Sequence, residues 1–302
     1  MEVIYIKDND IRPIKEPLCC AIGNFDGVHL GHRMLIEEAK KHNMASAVLT
    51  FDPHPSVFLK KIENYPLLTP MDMKKDIIKS LGVDYLIVFE FNDIVAKYDK
   101  NEFINILKGL NIKSIVCGYD FTFGYKAEGK ISDLRDSFTV YEIEKYVLDD
   151  LRVSSSYIKE LLSFGNIEDA SRFLGKNYAI RGYVEYGSRK GRLIGFPTAN
   201  LHHDGYFLPK NGVYFVSIDY KGMEYYGMCN IGHNPTFNFQ NDIRVEVHIF
   251  GVDFNIYNEE IEIQFLAHIR DEIKFESVDS LKNQLMKDKK ECLRLVSLRK
   301  YS

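Results

Sequence analysis

Two histidines with two residues between them, His29 and His32, stand in the run Gly23-Asn24-Phe25-Asp26-Gly27-Val28-His29-Leu30-Gly31-His32. The run joins an apolar segment, Cys19 to Gly23, to an amphipathic one in which Met34, Leu35, Ile36 and Ala39 alternate with Glu37, Glu38 and Lys40. That pattern predicts a buried strand followed by a helix, with the turn falling at the helix start. Backbone N–H groups there lack partners within the helix and the helix dipole favours anions, so Gly27 and Gly31 would let a phosphate approach the main chain. Histidine ring N–H groups on the first helical turn suit the charge that develops on phosphate oxygens as an α–β phosphoanhydride breaks. Gly23, Phe25 and Asp26 belong to the same candidate binding turn. Two plainer readings compete: a capping turn with surface histidines, and a zinc site. The zinc reading lacks a Cys-x-x-Cys or a third closely spaced ligand.

Three more segments of the front half end predicted strands or open a helix. Asp52 and His54, flanked by Pro53 and Pro55, could position a nucleotide or flavin phosphate; alone, the segment reads equally as a stiff surface turn. Gly118-Tyr119-Asp120-Phe121-Thr122-Phe123-Gly124 offers aromatics such as Phe123 for stacking on a planar ring, and Asp120 for a ribose or an amine, although such aromatics are more often core. Ser154, Ser155 and Ser156 open a helix whose hydroxyls and backbone donors suit phosphate, and Lys159 adds a point charge one turn further on. An ordinary serine cap explains the hydroxyls but not the cation.

In the rear half, Gly182, Gly187, Gly191 and Gly195 lead into Phe196-Pro197-Thr198-Ala199-Asn200, with Arg189, Lys190 and Arg192 between the glycines. Glycines let a loop fold over phosphates and the cations add charge. On an extended strand Thr198 and Asn200 would point the same way and offer oxygens to nucleotide-bound magnesium. A glycine-rich hairpin with solvated charges is the plainer reading. Glu246 and His248 likewise share one face of a predicted strand, and a carboxylate there could accept the proton of a hydroxyl attacking a γ-phosphate, although a surface Glu in a strand usually has no such role.

The elements that must hold these groups divide into two kinds. From Cys19 to Asp120 strand and helix patterns alternate: strands at Cys19 to Gly23, Ala45 to Phe51, Tyr85 to Phe91 and Ser114 to Gly118, with helices after Thr69-Pro70 and from Glu102 to Leu110. This alternation predicts a parallel sheet with covering helices, whose carboxyl ends converge on one crevice. Thr69 reads as an N-cap and Pro70 as the first helical residue. A strand from Phe138 to Ile143 and helices from Ser155 to Ser163 and from Ile167 to Leu174 follow. After Tyr178 a two-residue period takes over, in Ala179 to Glu185, Val213 to Tyr220, Glu224 to Asn230, Val245 to Phe250 and Glu260 to Leu266. An antiparallel barrel is expected, with a Lys221-Gly222 hairpin and a terminal helix capped by Ser277 that packs through Leu281, Leu285 and Cys292. The expected fold is therefore α/β, Rossmann-like at 1–176, with an antiparallel β-barrel domain at 177–302.

The chain has 302 residues, 45% of them apolar, enough for two domains with real cores. A net charge of −4 argues against a dedicated polyanion surface, so no nucleic-acid partner is expected. Five scattered cysteines without metal spacing fit a reducing cytoplasm, and no apolar run is long enough to span a bilayer.

The H-x-G-H spacing after a strand resembles the nucleotidyltransferases that join a nucleoside monophosphate to an acceptor phosphate. Across nearly its whole length the chain resembles the bacterial bifunctional riboflavin kinase/FAD synthetases. The front half carries the resemblance through Gly23 to His32, Thr50 to Pro55, Gly118 to Gly124 and Ser154 to Lys159. The rear half carries it through Gly191 to Leu201, Asn211-Gly212-Val213-Tyr214, Asn230 to Phe237 and Glu246-Val247-His248. The resemblance implies two successive reactions with magnesium in both: riboflavin and ATP give FMN, then FMN and ATP give FAD and pyrophosphate. It implies that His29 and His32 bind ATP phosphates, that Asp52, His54 and Asp120 help place nucleotide and FMN, that Thr198 and Asn200 hold magnesium, and that Glu246 is the kinase base. The family usually shows Ser-Ser-Thr and an Arg where this chain has Ser154-Ser155-Ser156 and Lys159. Lysine keeps the charge but loses the bidentate fork, so altered ATP handling in the front half is expected. The segment Phe250 to Asn258 also departs from the family pattern. Two rivals remain: retention of only one activity, the kinase, or a non-catalytic flavin or nucleotide sensor. A monomer or weak homo-oligomer is expected.

Overall fold

The computed structural model describes residues 1–8, 10–59, 62, 65–186, 191, 194–233, 243–252 and 256–299. The chain divides into two compact units, Met1–Ser155 and Ser156–Ser302.

The first unit runs β1 (Glu2–Ile6), β2 (Leu18–Ile22), α1 (Leu30–Lys40), β3 (Ala45–Asp52), α2 (Pro55–Leu59), α3 (Met71–Ser80), β4 (Tyr85–Glu90), α4 (Lys100–Gly109) and β5 (Ile112–Gly118). A small hairpin of β6 (Thr122–Phe123) and β7 (Gly129–Lys130) follows, then α5 (Ile131–Arg135), β8 (Thr139–Ile143) and a second hairpin of β9 (Val147–Leu148) and β10 (Leu151–Arg152). Six strands form one sheet in the order β1-β4-β3-β2-β5-β8, every neighbouring pair parallel. All of β2 is buried, and its residues alternate between two cores: Leu18, Cys20 and Ile22 face one, Cys19 and Ala21 the other. A strand covered on both faces has to be apolar throughout, which is why Leu18–Ile22 shows no polar alternation. The chain winds outward from β2 in one direction through β3 and β4 and in the other through β5 and β8. The crevice beyond the carboxyl ends of β2 and β5 is thus the switch point, where open α/β sheets bind ligands.

The front-half sheet holds one strand that the sequence patterns did not announce, and one capping expectation changes. The strand β1 pairs with β4 at the sheet edge; its four apolar residues among charges carry too short a signal to separate from a coil. Helix α3 begins at Met71 after Pro70, which makes no side-chain cap. Thr69 is not a cap: its side chain is directed to the turn before α1.

The second unit contains α7 (Ile167–Leu174) and six strands, β11 (Tyr178–Glu185), β12 (Ala199–His202), β13 (Gly212–Tyr220), β14 (Met223–His233), β15 (Ile243–Ile249) and β16 (Glu260–Asp271), closed in the order β11-β12-β15-β14-β13-β16. The preceding helix α6 (Ser155–Ser163) begins where the first unit ends. Helix α7 packs on β11 and β16, so residues that the sequence groups with the front half cluster with the barrel. Its Gly175 cap is left-handed, at φ 71°. The hairpin at Lys221 and Gly222, at φ 52° and 76°, joins β13 to β14 with Tyr220 opposite Met223, a primed turn that matches strand twist.

The terminal helix α8 (Val278–Arg299) starts at Ser277, whose Oγ accepts from the Ser280 N–H at 3.1 Å. Cys292, Leu285, Leu295 and Val296 pack against a barrel cluster of Phe196, Val213, Phe215, Met228 and Leu266. Arg270 of β16 donates to both carboxylate oxygens of buried Asp288 at 2.9 to 3.1 Å, fixing the helix register. No helix among the described residues is long and apolar enough to cross a membrane.

Candidate functional sites

The histidine turn sits at the carboxyl end of β2. Its backbone turns through left-handed conformations at Phe25, Gly27 and Val28, with φ of 50°, 90° and 44°. Only glycine adopts such angles readily, and a β-branched residue held there costs about 1–3 kcal/mol, so surrounding contacts must impose it. The contacts are long in sequence. The Asp26 carboxylate, only 3% exposed, accepts the Leu68 and Thr69 N–H groups at 2.7 and 3.2 Å. Thr69 Oγ1 accepts the Gly27 N–H at 2.8 Å. The Asn24 carbonyl accepts from Thr50 Oγ1 at 3.1 Å and from Lys74 Nζ at 2.8 Å. Ser155 Oγ donates to the Asp26 carbonyl at 2.7 Å, and the Gly23 N–H donates to Leu49.

His29 is the N-cap of α1: its Nδ1 accepts the His32 N–H at 3.3 Å. That acceptor role puts the His29 proton on Nε2. The two rings stack at 3.6 Å between centroids, and Phe25 closes against His32 at 5.1 Å. Gly31 lies beside the stack, and a Cβ there would meet the His29 ring at 3.4 Å, an ordinary contact. Burial pushes His29 down to about 4, partly opposed by Asp26. Burial also holds His32 well below the ordinary imidazole range, helped by His29 and by the Lys74 ammonium. Both rings are therefore neutral at physiological pH and act as N–H donors, not as cations. His32 Nδ1 is buried without a hydrogen-bond partner.

The positive charge of the site comes from residues that the sequence reading did not single out. Arg152 on β10 pairs with Asp120 at 2.5 Å, lies 5.2 Å from the Tyr119 ring centroid and acts electrostatically on His29. Lys74 on α3 is only 1% exposed. Its i to i+3 and i+4 neighbours do not mark it, because Lys74-Lys75 reads as a solvated face of α3.

Other candidates occupy different surroundings. Phe25 and Asp26 turn into the protein, as core contact and tether. Phe123 packs in the core against Phe103 at 5.3 Å, and Gly129 permits that ring to lie on its backbone, where a Cβ would stand 2.7 Å away. His54 is buried against Tyr65 at 5.5 Å and accepts the Ser56 N–H at 3.1 Å. Asp52 closes β3, half-buried. Ser154 is half-buried and Ser156 exposed. Lys159 falls in the second unit, its ammonium 5.9 Å from the Phe207 ring centroid.

In the barrel, strand register assembles the second candidate site. Asn200 stands opposite Glu185 on one side and Glu246 on the other, and Glu246 stands opposite Asn230. The four form one row across neighbouring strands. Their flanking residues Val184, Leu201, Val245, Val247, Cys229 and Ile231 are buried, so by strand alternation the row lies on the other face of the barrel wall. Desolvation raises the Glu246 carboxyl above its ordinary 4.5, partly opposed by Arg244.

His248 is held two residues further on, with its Nδ1 2.8 Å from the Pro197 carbonyl. The carbonyl can only accept, so the ring proton is on Nδ1, and Nε2 is buried without a partner. Phe196 and Phe250 flank the ring at 5.2 and 5.7 Å. This contact anchors the segment in which Thr198 and Asn200 are half-buried. Gly191 accepts the Ile194 and Phe196 N–H groups at 3.2 and 2.9 Å, and Gly195 turns at φ 85°. Gly182 is a barrel residue: a Cβ there would stand 2.0 Å from the His202 carbonyl oxygen, so it permits close approach of β12 and does not belong to a phosphate flap. Gly187 and Arg192, with Arg189 and Lys190, lie outside the described residues. Among the described residues no group of three or more His, Cys, Asp and Glu could hold a metal ion.

A doubly wound α/β unit with a histidine turn at its switch point, followed by a closed antiparallel barrel with a polar row, defines a two-module transferase architecture. A FAD synthetase family model matches residues 11–159 and a riboflavin kinase model residues 174–296. The chain is 38% identical over 282 residues to the bifunctional riboflavin kinase/FMN adenylyltransferase of Listeria monocytogenes, covering 90% of each chain. It is 39% identical over 290 residues to that of Bacillus subtilis, covering 92% of each. A crystal structure described as a macrolide-efflux protein from Streptococcus pneumoniae superposes with a TM-score of 0.86 at 31% identity, over 96% of this chain and 98% of that one. The chain belongs to the bifunctional riboflavin kinase/FMN adenylyltransferase family.

Proposed function

We propose that the protein is a bifunctional enzyme of flavin cofactor synthesis: it phosphorylates riboflavin to FMN with ATP, then transfers the adenylyl group of a second ATP to FMN, releasing pyrophosphate. The observation that carries this reading is that each unit keeps its own chemistry-bearing set, the neutral histidine pair in one and the Asn200–Glu246 row in the other. We assign adenylyl transfer to residues 1–176 and the kinase to 177–302.

In adenylyl transfer a phosphate oxygen of FMN attacks the α-phosphorus of ATP and the bond to the β-phosphate oxygen breaks. The Nε2–H of His29 and the His32 ring donate to the oxygens on which charge develops. As neutral donors they add no competing proton equilibrium near neutrality, and Arg152, Lys74 and the start of α1 supply the positive field. Gly23, Asp52, His54, Asp120, Ser154 and Ser155 line the remaining nucleotide and flavin contacts.

In the kinase the riboflavin 5′-hydroxyl attacks the γ-phosphorus. Glu246 orients that hydroxyl and takes its proton late, the raised carboxyl being a better base than a solvated one. Thr198 and Asn200 present neutral oxygen donors of the kind that suits magnesium carried with a nucleotide, where most ligands are phosphate oxygens and water. Magnesium, when bound, neutralises charge shared between β- and γ-phosphates. Five buried thiols with no disulfide and the net charge of −4 support a cytoplasmic enzyme with small-molecule partners and no nucleic acid, and we assign it a monomeric or weakly associated state.

The test is a product assay. Purified protein given riboflavin, ATP and magnesium should yield FMN and then FAD by chromatography. FMN alone would remove the adenylyl-transfer assignment, and binding without product would favour a flavin or nucleotide sensor.

A further inference from the structure

Beneath the histidine turn lies a cation that no feature of the sequence marked. Lys74 projects from the first turns of α3, is 1% exposed, and ends 2.8 Å from the Asn24 carbonyl. An ammonium taken out of water costs several kcal/mol unless it is matched by charge and hydrogen bonds. A leucine would fill the same space at no such cost, so a purely structural account leaves the charge unexplained.

The titratable groups facing Lys74 come from three elements: Asp26 of the turn, Asp52 at the end of β3 and His32 of α1. The Asp26 carboxylate accepts the Leu68 and Thr69 N–H groups, and Asp52 stands at the rim of the same crevice.

We propose that Lys74 is a positioning residue for adenylyl transfer: its buried ammonium fixes the Asn24 carbonyl and supplies, from below, the positive field that holds polyphosphate against two uncharged histidine rings. The proposal rests on the adenylyl-transfer reading of the turn. The ammonium helps His32 stay neutral: the Lys74 charge adds to burial and to His29 in suppressing its protonation. It also carries a pH signature. Burial lowers Lys74 from 10.5 to about 8, despite the opposing carboxylates of Asp26 and Asp52, so the field fades within the range in which the enzyme can be assayed. Nucleotide phosphates, an added negative charge, shift that loss upward in the complex, so the effect belongs in the KM for ATP more than in kcat.

The experiment uses the full-length protein, with FAD formation from FMN and ATP and FMN formation from riboflavin and ATP measured on the same preparation from about pH 6 to about pH 9.5. The expected result is a KM for ATP in FAD formation that rises as pH passes about 8, with no matching rise in FMN formation. Lys74→Arg should flatten that rise, because a guanidinium stays charged. Lys74→Met should raise KM by about tenfold or more at neutral pH, with kcat less affected and FMN formation retained. A flat wild-type profile, an unchanged rise in Lys74→Arg, or an unchanged KM in a folded Lys74→Met overturns the proposal. Should a variant lose FMN formation as well, it has unfolded, and the wild-type profile decides. His32→Ala separates the two levels. Undiminished FAD formation there topples the reading of the turn itself, whereas a dead His32→Ala beside unaffected Lys74 variants topples only the role of Lys74.

Discussion

The histidine turn of the front unit and the Asn200–Glu246–Asn230 row of the barrel reach their geometry by different routes. The turn carries strained residues at Phe25 and Val28 and is held by the side chains of Thr50, Thr69, Lys74 and Ser155 and by its own Asp26 carboxylate, which accepts the Leu68 N–H. The row needs no tether, because backbone ladders set its register across four strands. A tethered loop can be loosened one contact at a time, while a row in a closed barrel fails only when the strands shift together. The electrostatics differ as well: burial lowers the histidines and raises Glu246. In each case burial disfavours the charged form, which leaves the histidines neutral N–H donors in one region and makes the Glu246 carboxylate a stronger base in the other.

The largest effect that would test this contrast is expected from Glu246→Gln. FMN formation should fall by about 10²–10⁴-fold with FAD formation from supplied FMN unchanged. Equal loss of both activities would mean the regions are not independent. His32→Ala should lower FAD formation by about 10²–10³-fold and leave FMN formation intact, as for removal of a donor to developing phosphate charge. Gly182→Ala attacks the register, since its Cβ would stand 2.0 Å from the His202 carbonyl oxygen. A loss of about 1–3 kcal/mol in barrel stability is expected, with FMN formation impaired more than FAD formation. Thr69→Val keeps shape but leaves the Gly27 N–H without its acceptor. It should cost about 1–3 kcal/mol in the front unit and lower FAD formation selectively; an unaltered KM for ATP would show that the tether does not position the turn.

The smallest effects are those of pH. The folded pKa of His29, about 4, lies below its ordinary 6.5, so between those values the unfolded chain holds more protons. Stability of the front unit is then present above about 6.5 and lost as pH falls toward about 4. Glu246 has the opposite sign: its raised carboxyl makes the folded state the better proton binder, so its ionisation weakens the barrel as pH rises through the raised value. Glu246→Gln should therefore leave the thermal transition at neutral pH unchanged or raised. On acidification FMN formation should fade at a higher pH than FAD formation, and coincident acid limbs would undo the comparison.

Much of the architecture is local and was legible in the residues. Helices α6 and α7 fall at Ser155–Ser163 and Ile167–Leu174 as their periodicity predicts, and the hairpin at Lys221-Gly222 follows from Gly222, which accepts positive φ. Strand–helix alternation predicted a parallel sheet and two-residue alternation a barrel, because side-chain period reports which faces are covered. His29 and His32 could be singled out because paired histidines at a strand-to-helix turn are unusual, whereas Glu246, an ordinary residue for a strand, stood out only through the family resemblance.

The tertiary structure decided what those residues rest on. Thr69 has the composition of an N-cap, yet its hydroxyl accepts from Gly27, 42 residues earlier in the chain. Lys74 reads as a solvated cation on a helix, yet it lies 50 residues from the Asn24 carbonyl it holds. Phe123 has the look of a stacking platform and is core, and the pairing of Asn200 with Glu246 exists only once β12 and β15 are in register. Periodicity and turn chemistry are set by neighbours a few residues away and survive in any window of sequence. Burial, charge compensation and cross-strand register depend on segments brought together by folding, and no window contains both partners.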